Sequence, residues 1–294
     1  MENNVIIINE NCRLCKSCVE VCPNQIFALN ENHVVVKPER THLCFACGHC
    51  MAVCAHNAVV VEGLNLERDF FDLPSATNSS EAFRCLLQTR RSVRVFKNTP
   101  VPEEMLQMIA EAVSFSPPSF PPVKTELVII NGREKLEAAL PQMVAMYEKM
   151  VKGLSNPIAK TFIKKSMGHE KYKIVKNHLL PLLSVKLPYM LAGTEDSIFR
   201  GAPACMLFHA DREADNAVPD IYIAVGFAIL AAHSLGLGAT VVDLIAPAVE
   251  RTPALRALFS IPEGNKVVAA VILGHPKYRF KKGIKRQLKS VVYM

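Results

Sequence analysis

The chain has 294 residues, half of them apolar, which is enough to bury one large core and one small one and excludes a disordered protein. Its formal net charge is +7, yet it shows no helix-turn-helix pattern and no interleaving of aromatic with basic residues, so a nucleic-acid partner is not expected. The opening "MENNVIIINENC" lacks a basic stretch leading into a long apolar one, so no signal peptide is expected, and the cysteine clusters among the ten cysteines read as metal-directed thiols of a reducing cytoplasm.

Eight of those cysteines form two runs. Cys12, Cys15, Cys18 and Cys22 recur 32 residues later as Cys44, Cys47, Cys50 and Cys54, with every interval of C-x2-C-x2-C-x3-C preserved, so the segment is an internal repeat. The run resembles that of bacterial two-cluster ferredoxins, in which three cysteines of one run hold a cubane and the fourth serves the other cluster. The resemblance implies two [4Fe-4S] clusters, one on Cys12, Cys15, Cys18 and Cys54, the other on Cys44, Cys47, Cys50 and Cys22. Structural zinc also uses C-x2-C pairs and stays an alternative, although it leaves the third cysteine of each run unexplained. Pro23 follows the first run whereas Ala55 follows the second. Ser17, Ala46 and Gly48 are small enough for loop amides to approach the sulfurs. The stretches "QIFAL", "VVVKP" and "NAVVVEG" read as short hairpins, so residues 1–64 are expected to form a small ferredoxin-like domain.

Residues 65–80 are polar, contain Pro74 and read as a linker entering a helix near Ser80. Cys85 in that helix and the later Cys205 have no second cysteine at ligand spacing and read as core thiols. Next comes "RRSVRVF". Arg90, Arg91, Ser92 and Arg94 crowd three guanidinium groups and a hydroxyl into five residues, which a bound phosphate would explain because arginine forks match its oxygens. A surface salt-bridge patch is the competing reading. "PVPEEMLQMIAEAV" then predicts an amphipathic helix with Pro102 at its first position, acids at its N-terminus and Met105, Leu106, Ile109 and Val113 on one face.

Residues 141–199 read as a helical insertion broken at Pro157 and Gly168, with nine lysines against one acid between Lys149 and Lys186. Such an insertion suits a lid, and its basic face suits solvation or, as the competing reading, docking of an acidic partner. "ACMLFHA" predicts a core strand. The apolar segment from Ile221 is interrupted by His233, Ser234 and Asp243, so a buried helix and strand are expected there and no membrane span. His169, His178, His209 and His233 lack ligand spacing and are read as structural.

From the arginine motif onward the chain resembles the FMN-dependent nitroreductase family. Besides "RRSVRVF", the resemblance rests on "VGFAILAAHSLGLGATVVDL" as the long central helix with its glycine turn, and on "SIPEGNKVVAAVILGHPKYRF" as the last core strand with its G-x-P exit. It implies an α+β fold for residues 81–294, with a central antiparallel or mixed sheet flanked by helices. By it, Arg90, Arg91, Ser92 and Arg94 hold the FMN phosphate together with Arg286 of the basic tail. Val242, Asp243 and Leu244 contact the flavin ring, and Pro118, Ser119 and Phe120 approach the flavin of a homodimer partner. The Asn and Gln-Pro-Trp common in that loop are replaced by Pro121, Pro122 and Val123.

The resulting expectation is an iron–sulfur flavoprotein oxidoreductase that passes electrons from two clusters to FMN and on to a small acceptor such as a nitroaromatic, quinone or enone, with the flavin N5 carrying the chemistry and no protein acid assigned. Reduced ferredoxin or another one-electron carrier is its expected partner. The alternatives are an electron-transfer module for a protein partner, or an NAD(P)H-dependent nitroreductase, which needs no G-x-G-x-x-G fingerprint if the nicotinamide stacks on the flavin.

Overall fold

The computed structural model describes residues 5–44, 46–72, 79–117, 123–156, 161, 164–165 and 168–294. The sequence duplication is repeated in the backbone. Left-handed residues at Leu14, Lys16 and Gln25 recur at Ala46, Gly48 and Asn57, and the short helix Ser17–Val21 recurs as His49–Val53. Left-handed turns of this kind point successive N–H groups into a concavity that favours anions, the environment a thiolate needs. Five of these six positions are not glycine, a costly conformation for a residue with a Cβ.

Two compact units form, Met1–Val95 with Pro276–Met294, and Phe96–His275. In the first, Val5–Ile7 pairs antiparallel with Val59–Val61, and Phe27–Asn30 forms a hairpin with His33–Val36. Their inward side chains, among them Val5, Phe27, Val34, Val59 and Val61, pack with Met51 and Ile26 into a small core. The expected linker is not a linker throughout. Leu66–Asp69 is a helical turn capped by the Asn65 carboxamide, whose oxygen accepts from the N–H groups of Glu67 and Arg68 at 2.9 Å each. Phe70–Asp72 is a strand paired with Lys282–Ile284 near the C-terminus. A Cβ on Gly283 would meet the Phe71 ring, so the pair closes as it stands because that position carries no side chain. Polar punctuation suggested a linker because the strand's partner lies some 200 residues away, beyond any local pattern. Tyr278, Phe280 and Ile284 of the tail pack against the same core. The helix Ser79–Thr89 and the arginine loop also belong to this unit, so the units part at Val95 and at His275, later than the expected linker.

The second unit is built on a four-stranded sheet in the order Glu126–Asn131, Ala204–Asp211, Asn265–Gly274, Gly238–Val241, antiparallel at every pairing. Ala204 to Ala210 are all buried, and because side chains alternate along a strand, both sheet faces must be covered. One set, Ala204, Met206 and Phe208 with Ala269, Val271 and Leu273, packs on the helices Glu103–Ser114 and Ala217–Ser234 through Leu106, Ile109, Ile221 and Ala224. Each fully buried Leu or Ile there contributes about 1.5–3 kcal/mol. Helix Glu103–Ser114 has the expected face, but Pro102 is its N-cap and not its first residue. Helix Ala217–Ser234 is long and apolar enough to cross a membrane by length and composition alone, yet its inner face is part of this core.

The inserted region starts earlier than expected. A helix runs Arg133–Ser155 through Pro141, followed by His169–Ile174 after a left-handed Gly168, a π turn at Val175–Leu179, and Leu180–Leu191. The expected break at Pro157 lies outside the described residues.

Candidate functional site

Two cavities in the first unit are lined by cysteines, and the sets are crossed. One is lined by Cys12, Cys15, Cys18 and Cys54. The other is lined by Cys22, Cys44, Cys47 and Cys50. Each is lined by three cysteines of one run and the fourth of the other, the grouping that the ferredoxin resemblance implies. Burial, then the neighbouring Cys54, Cys15 and Cys12, push the Cys18 thiol up to about 12. Burial, then Cys22, Cys47 and Cys44, likewise raise Cys50 well above the usual thiol range. Thiols held this way ionise against a metal, which deprotonates its own ligands. Backbone amides are aimed at the sulfurs as well: Ala58 N–H donates to Cys54 Sγ at 3.2 Å, and amides of Asn24 and Ile26 favour the Cys22 thiolate. Among the described residues no three of these side chains are gathered tightly enough for a single metal ion, and a lining of four cysteines with apolar walls and N–H groups directed at sulfur suits a larger cubane cluster in each cavity.

The arginine loop follows the helix Ser79–Thr89, with Arg90 N–H donating to Leu86 O at 3.1 Å. Lys277 N–H donates to Val95 O at 3.1 Å and holds the tail beside the loop. Arg286 lies just beyond the tail strand Lys282–Ile284. The structure brings the four cations together. Burial, then Arg286 and Arg94, lower the Arg90 pKa; burial, then Arg90 and Arg286, bring Arg91 down to about 10. Arg91 spends one terminal nitrogen on the carbonyls of Gln88 and Arg90 at 2.7 and 2.6 Å, while its Nε and Nη2 are buried without a partner. Unsatisfied buried donors in a cluster of like charge fit a phosphate dianion better than a salt-bridge patch.

Sequence reasoning missed His49. It stands between Cys47 and Cys50 of the second run, is only 4% exposed, and accepts a hydrogen bond from Arg94 Nη1 at Nε2, 3.2 Å away. Its ring stands edge-on to Phe280 at 5.2 Å. Burial, then Arg94 and Arg91, bring its pKa down to about 3, so the imidazole is neutral. Only the fold brings residues 49 and 94 together, and nothing in the run's spacing marks the histidine.

In the second unit the edge strand Gly238–Val241 delivers Val242, which is buried, Asp243, which is exposed, and Leu244. The backbone here is fixed from both sides: Val242 N–H donates to Ala270 O at 3.0 Å, and the Tyr147 hydroxyl donates to Leu244 O at 2.6 Å. Burial and Asp243 raise the Tyr147 pKa, so it remains a donor. This tyrosine was also missed, because at helical spacing it reads as ordinary core. Pro118, Ser119 and Phe120 lie outside the described residues. His209 is buried in its strand with Asn265 Nδ2 2.8 Å from Nδ1, the structural role expected of it.

Comparison with known proteins gives two family matches, the Nitroreductase family over residues 87–275 and a 4Fe-4S dicluster domain over residues 11–59. A curated relative from Methanothermobacter thermautotrophicus, provisionally named an NADH dehydrogenase/NAD(P)H nitroreductase, is 26% identical over 194 residues, covering 65% of this chain and 75% of its own. Among solved structures, a nitroreductase with bound FMN from Bacteroides fragilis is similar with a TM-score of 0.51 at 18% identity, covering 74% of this chain and 98% of its own. A second, also with bound FMN, from Desulfitobacterium hafniense has a TM-score of 0.51 at 20% identity, covering 71% and 96%. At these identities the likeness establishes the fold.

Proposed function

The chain belongs to the nitroreductase family and carries a 4Fe-4S dicluster domain at its N-terminal end, and on that footing we propose that it is an iron–sulfur flavoprotein oxidoreductase using two [4Fe-4S] clusters and FMN. The observation that carries the reading is the placement, in one compact unit, of two crossed four-cysteine cavities and an arginine cluster with unpaired buried donors. When bound, the clusters supply single electrons and the flavin converts them to a hydride equivalent for a small acceptor such as a nitroaromatic, quinone or enone.

The protein's own part is binding and orientation. Cys12, Cys15, Cys18 and Cys54, and Cys22, Cys44, Cys47 and Cys50, hold the two clusters. Arg90, Arg91, Arg94 and Arg286 hold the phosphate, with Ser92 beside them. The backbone of Val242, Asp243 and Leu244, steadied by Tyr147, contacts the ring. No side chain is assigned as a general acid.

A homodimer is part of the reading. Val218, Tyr222, Ile223 and Phe227 lie 37–48% exposed along one side of the central helix, an apolar stripe that a second copy would cover. A cytoplasmic location agrees with eight thiols kept reduced for iron. The test is a steady-state comparison of donors. Reduced ferredoxin or viologen should support turnover of a nitroaromatic or quinone. Turnover with NAD(P)H alone would favour an NAD(P)H nitroreductase, and electron uptake with no small acceptor reduced would make the chain a transfer module.

A further inference from the structure

We propose that Arg94 is shared by two sites of the N-terminal unit: with Arg90, Arg91 and Arg286 it holds the flavin phosphate, and, aimed by His49, it holds up the reduction potential of the cluster on Cys22, Cys44, Cys47 and Cys50, so that filling one site shifts the other. The inference rests on the functional reading above and deepens it.

Three observations carry it. First, His49 lines the cavity of Cys22, Cys44, Cys47 and Cys50 and also a second small cavity lined by Ser92, Arg94 and Val95, so one residue borders both the cysteines and the arginine loop. Second, the Arg94 guanidinium reaches the His49 ring at 3.2 Å and lies within electrostatic range of Cys47 and Cys22 as well as of Arg286. Third, the arrangement is one-sided. The cavity of Cys12, Cys15, Cys18 and Cys54 is lined by none of the arginine-loop residues; its charged neighbours are Arg13 and Lys16, both exposed.

A fixed cation stabilises the more negative, reduced state of a nearby cluster and so raises its potential, and a partly buried one is weakly screened. A phosphate dianion on the same guanidinium offsets that charge. Occupancy by FMN therefore makes this one cluster harder to reduce. Linkage requires that reduction of the cluster weaken phosphate binding by the same factor.

The test is a redox titration of the full-length protein, purified anaerobically, stripped of flavin, reduced with dithionite in the presence of mediators and followed by EPR. Iron, sulfide and flavin capacity are measured first. Protein without sulfide overturns the functional reading itself, whereas loaded protein with an indifferent potential overturns this inference alone. The expected result is that FMN, or inorganic phosphate at high concentration, lowers the potential of one cluster by about 59 mV, a tenfold change in its reduced-to-oxidised ratio, while riboflavin does not. Cys15→Ala, which leaves only the cluster on Cys22, Cys44, Cys47 and Cys50, should keep the response. In Arg94→Gln the flavin-free potential should already be lowered and should no longer move. His49→Leu should reproduce that loss and His49→Gln, which keeps an acceptor for Arg94, should restore part of it; this pair carries the test if Arg94→Gln loads poorly. An equal shift of both clusters, a response to riboflavin, or a flavin-free potential equal to that of the parent protein in both Arg94→Gln and His49→Leu would overturn it.

Discussion

The two cysteine cavities are made by the same motif with the same left-handed turns, yet they sit in different surroundings. At the first, Cys15 and Lys16 are exposed. At the second, the position equivalent to Lys16 is Gly48, covered by Phe70 and by Ile284 of the tail, and the next residue is the buried His49. Local spacing makes two equivalent ligand sets, and segments distant in sequence make them unequal: one faces solvent, where an external carrier can reach it, and the other faces the arginine loop.

The largest expected effects test whether the ligand sets are crossed. Cys12→Ala and Cys54→Ala should each reduce iron from about eight to about four per chain and leave the same residual EPR spectrum, while Cys22→Ala and Cys44→Ala should leave the other spectrum. If Cys54→Ala instead matched Cys44→Ala, the runs would not exchange their fourth cysteine. Next, Arg90→Ala or Arg91→Ala removes a charge-assisted contact of about 1.5–3 kcal/mol, roughly ten- to a hundredfold in FMN affinity, with iron content unchanged; Ser92→Ala should cost less. Equilibrium dialysis of FMN against each variant checks this.

Smaller effects sharpen the contrast between the repeats. Gly48→Ala places a Cβ 3.1 Å from the Phe70 ring in a left-handed conformation and should cost about 1–2 kcal/mol in anaerobic denaturant titrations. Lys16→Gly, at the matching position, should change stability by less than about 1 kcal/mol in either direction, since relief of the left-handed strain is offset by added chain entropy. The smallest effect concerns the ties to the tail. Glu20 in the first repeat is held by the partly exposed Lys277 at 2.5 Å, whereas its counterpart in the second, Ala52, accepts from Lys281 N–H at 3.0 Å through the backbone. Lys277→Met should therefore cost no more than about 1 kcal/mol and should lose its effect in high salt.

The sequence was most legible where chemistry imposes a spacing. Eight cysteines at ligand intervals marked the residues that line both cavities, their crossed grouping being what the ferredoxin resemblance implied, and three arginines in five residues marked a cationic cluster near which the structure also places Arg286. Local pattern was enough for Leu106, Ile109 and Val113 on their helix and for the buried strand residues Ala204 to Ala210. It failed where partners are far apart. The strand Phe70–Asp72 exists because Lys282–Ile284 returns to it; His49 matters because Arg94 reaches it; Tyr147 matters because Leu244 offers it a carbonyl. In each case the residue type is ordinary for its local pattern, and the contact that gives it a role is set by the fold.

The most direct test of the central claim is the composition of the anaerobically purified protein. The account predicts about eight irons, about eight acid-labile sulfides and one FMN per chain, with the flavin phosphate required for retention. Near-stoichiometric zinc without sulfide, or a chain with full iron and sulfide that binds riboflavin as tightly as FMN, would contradict it.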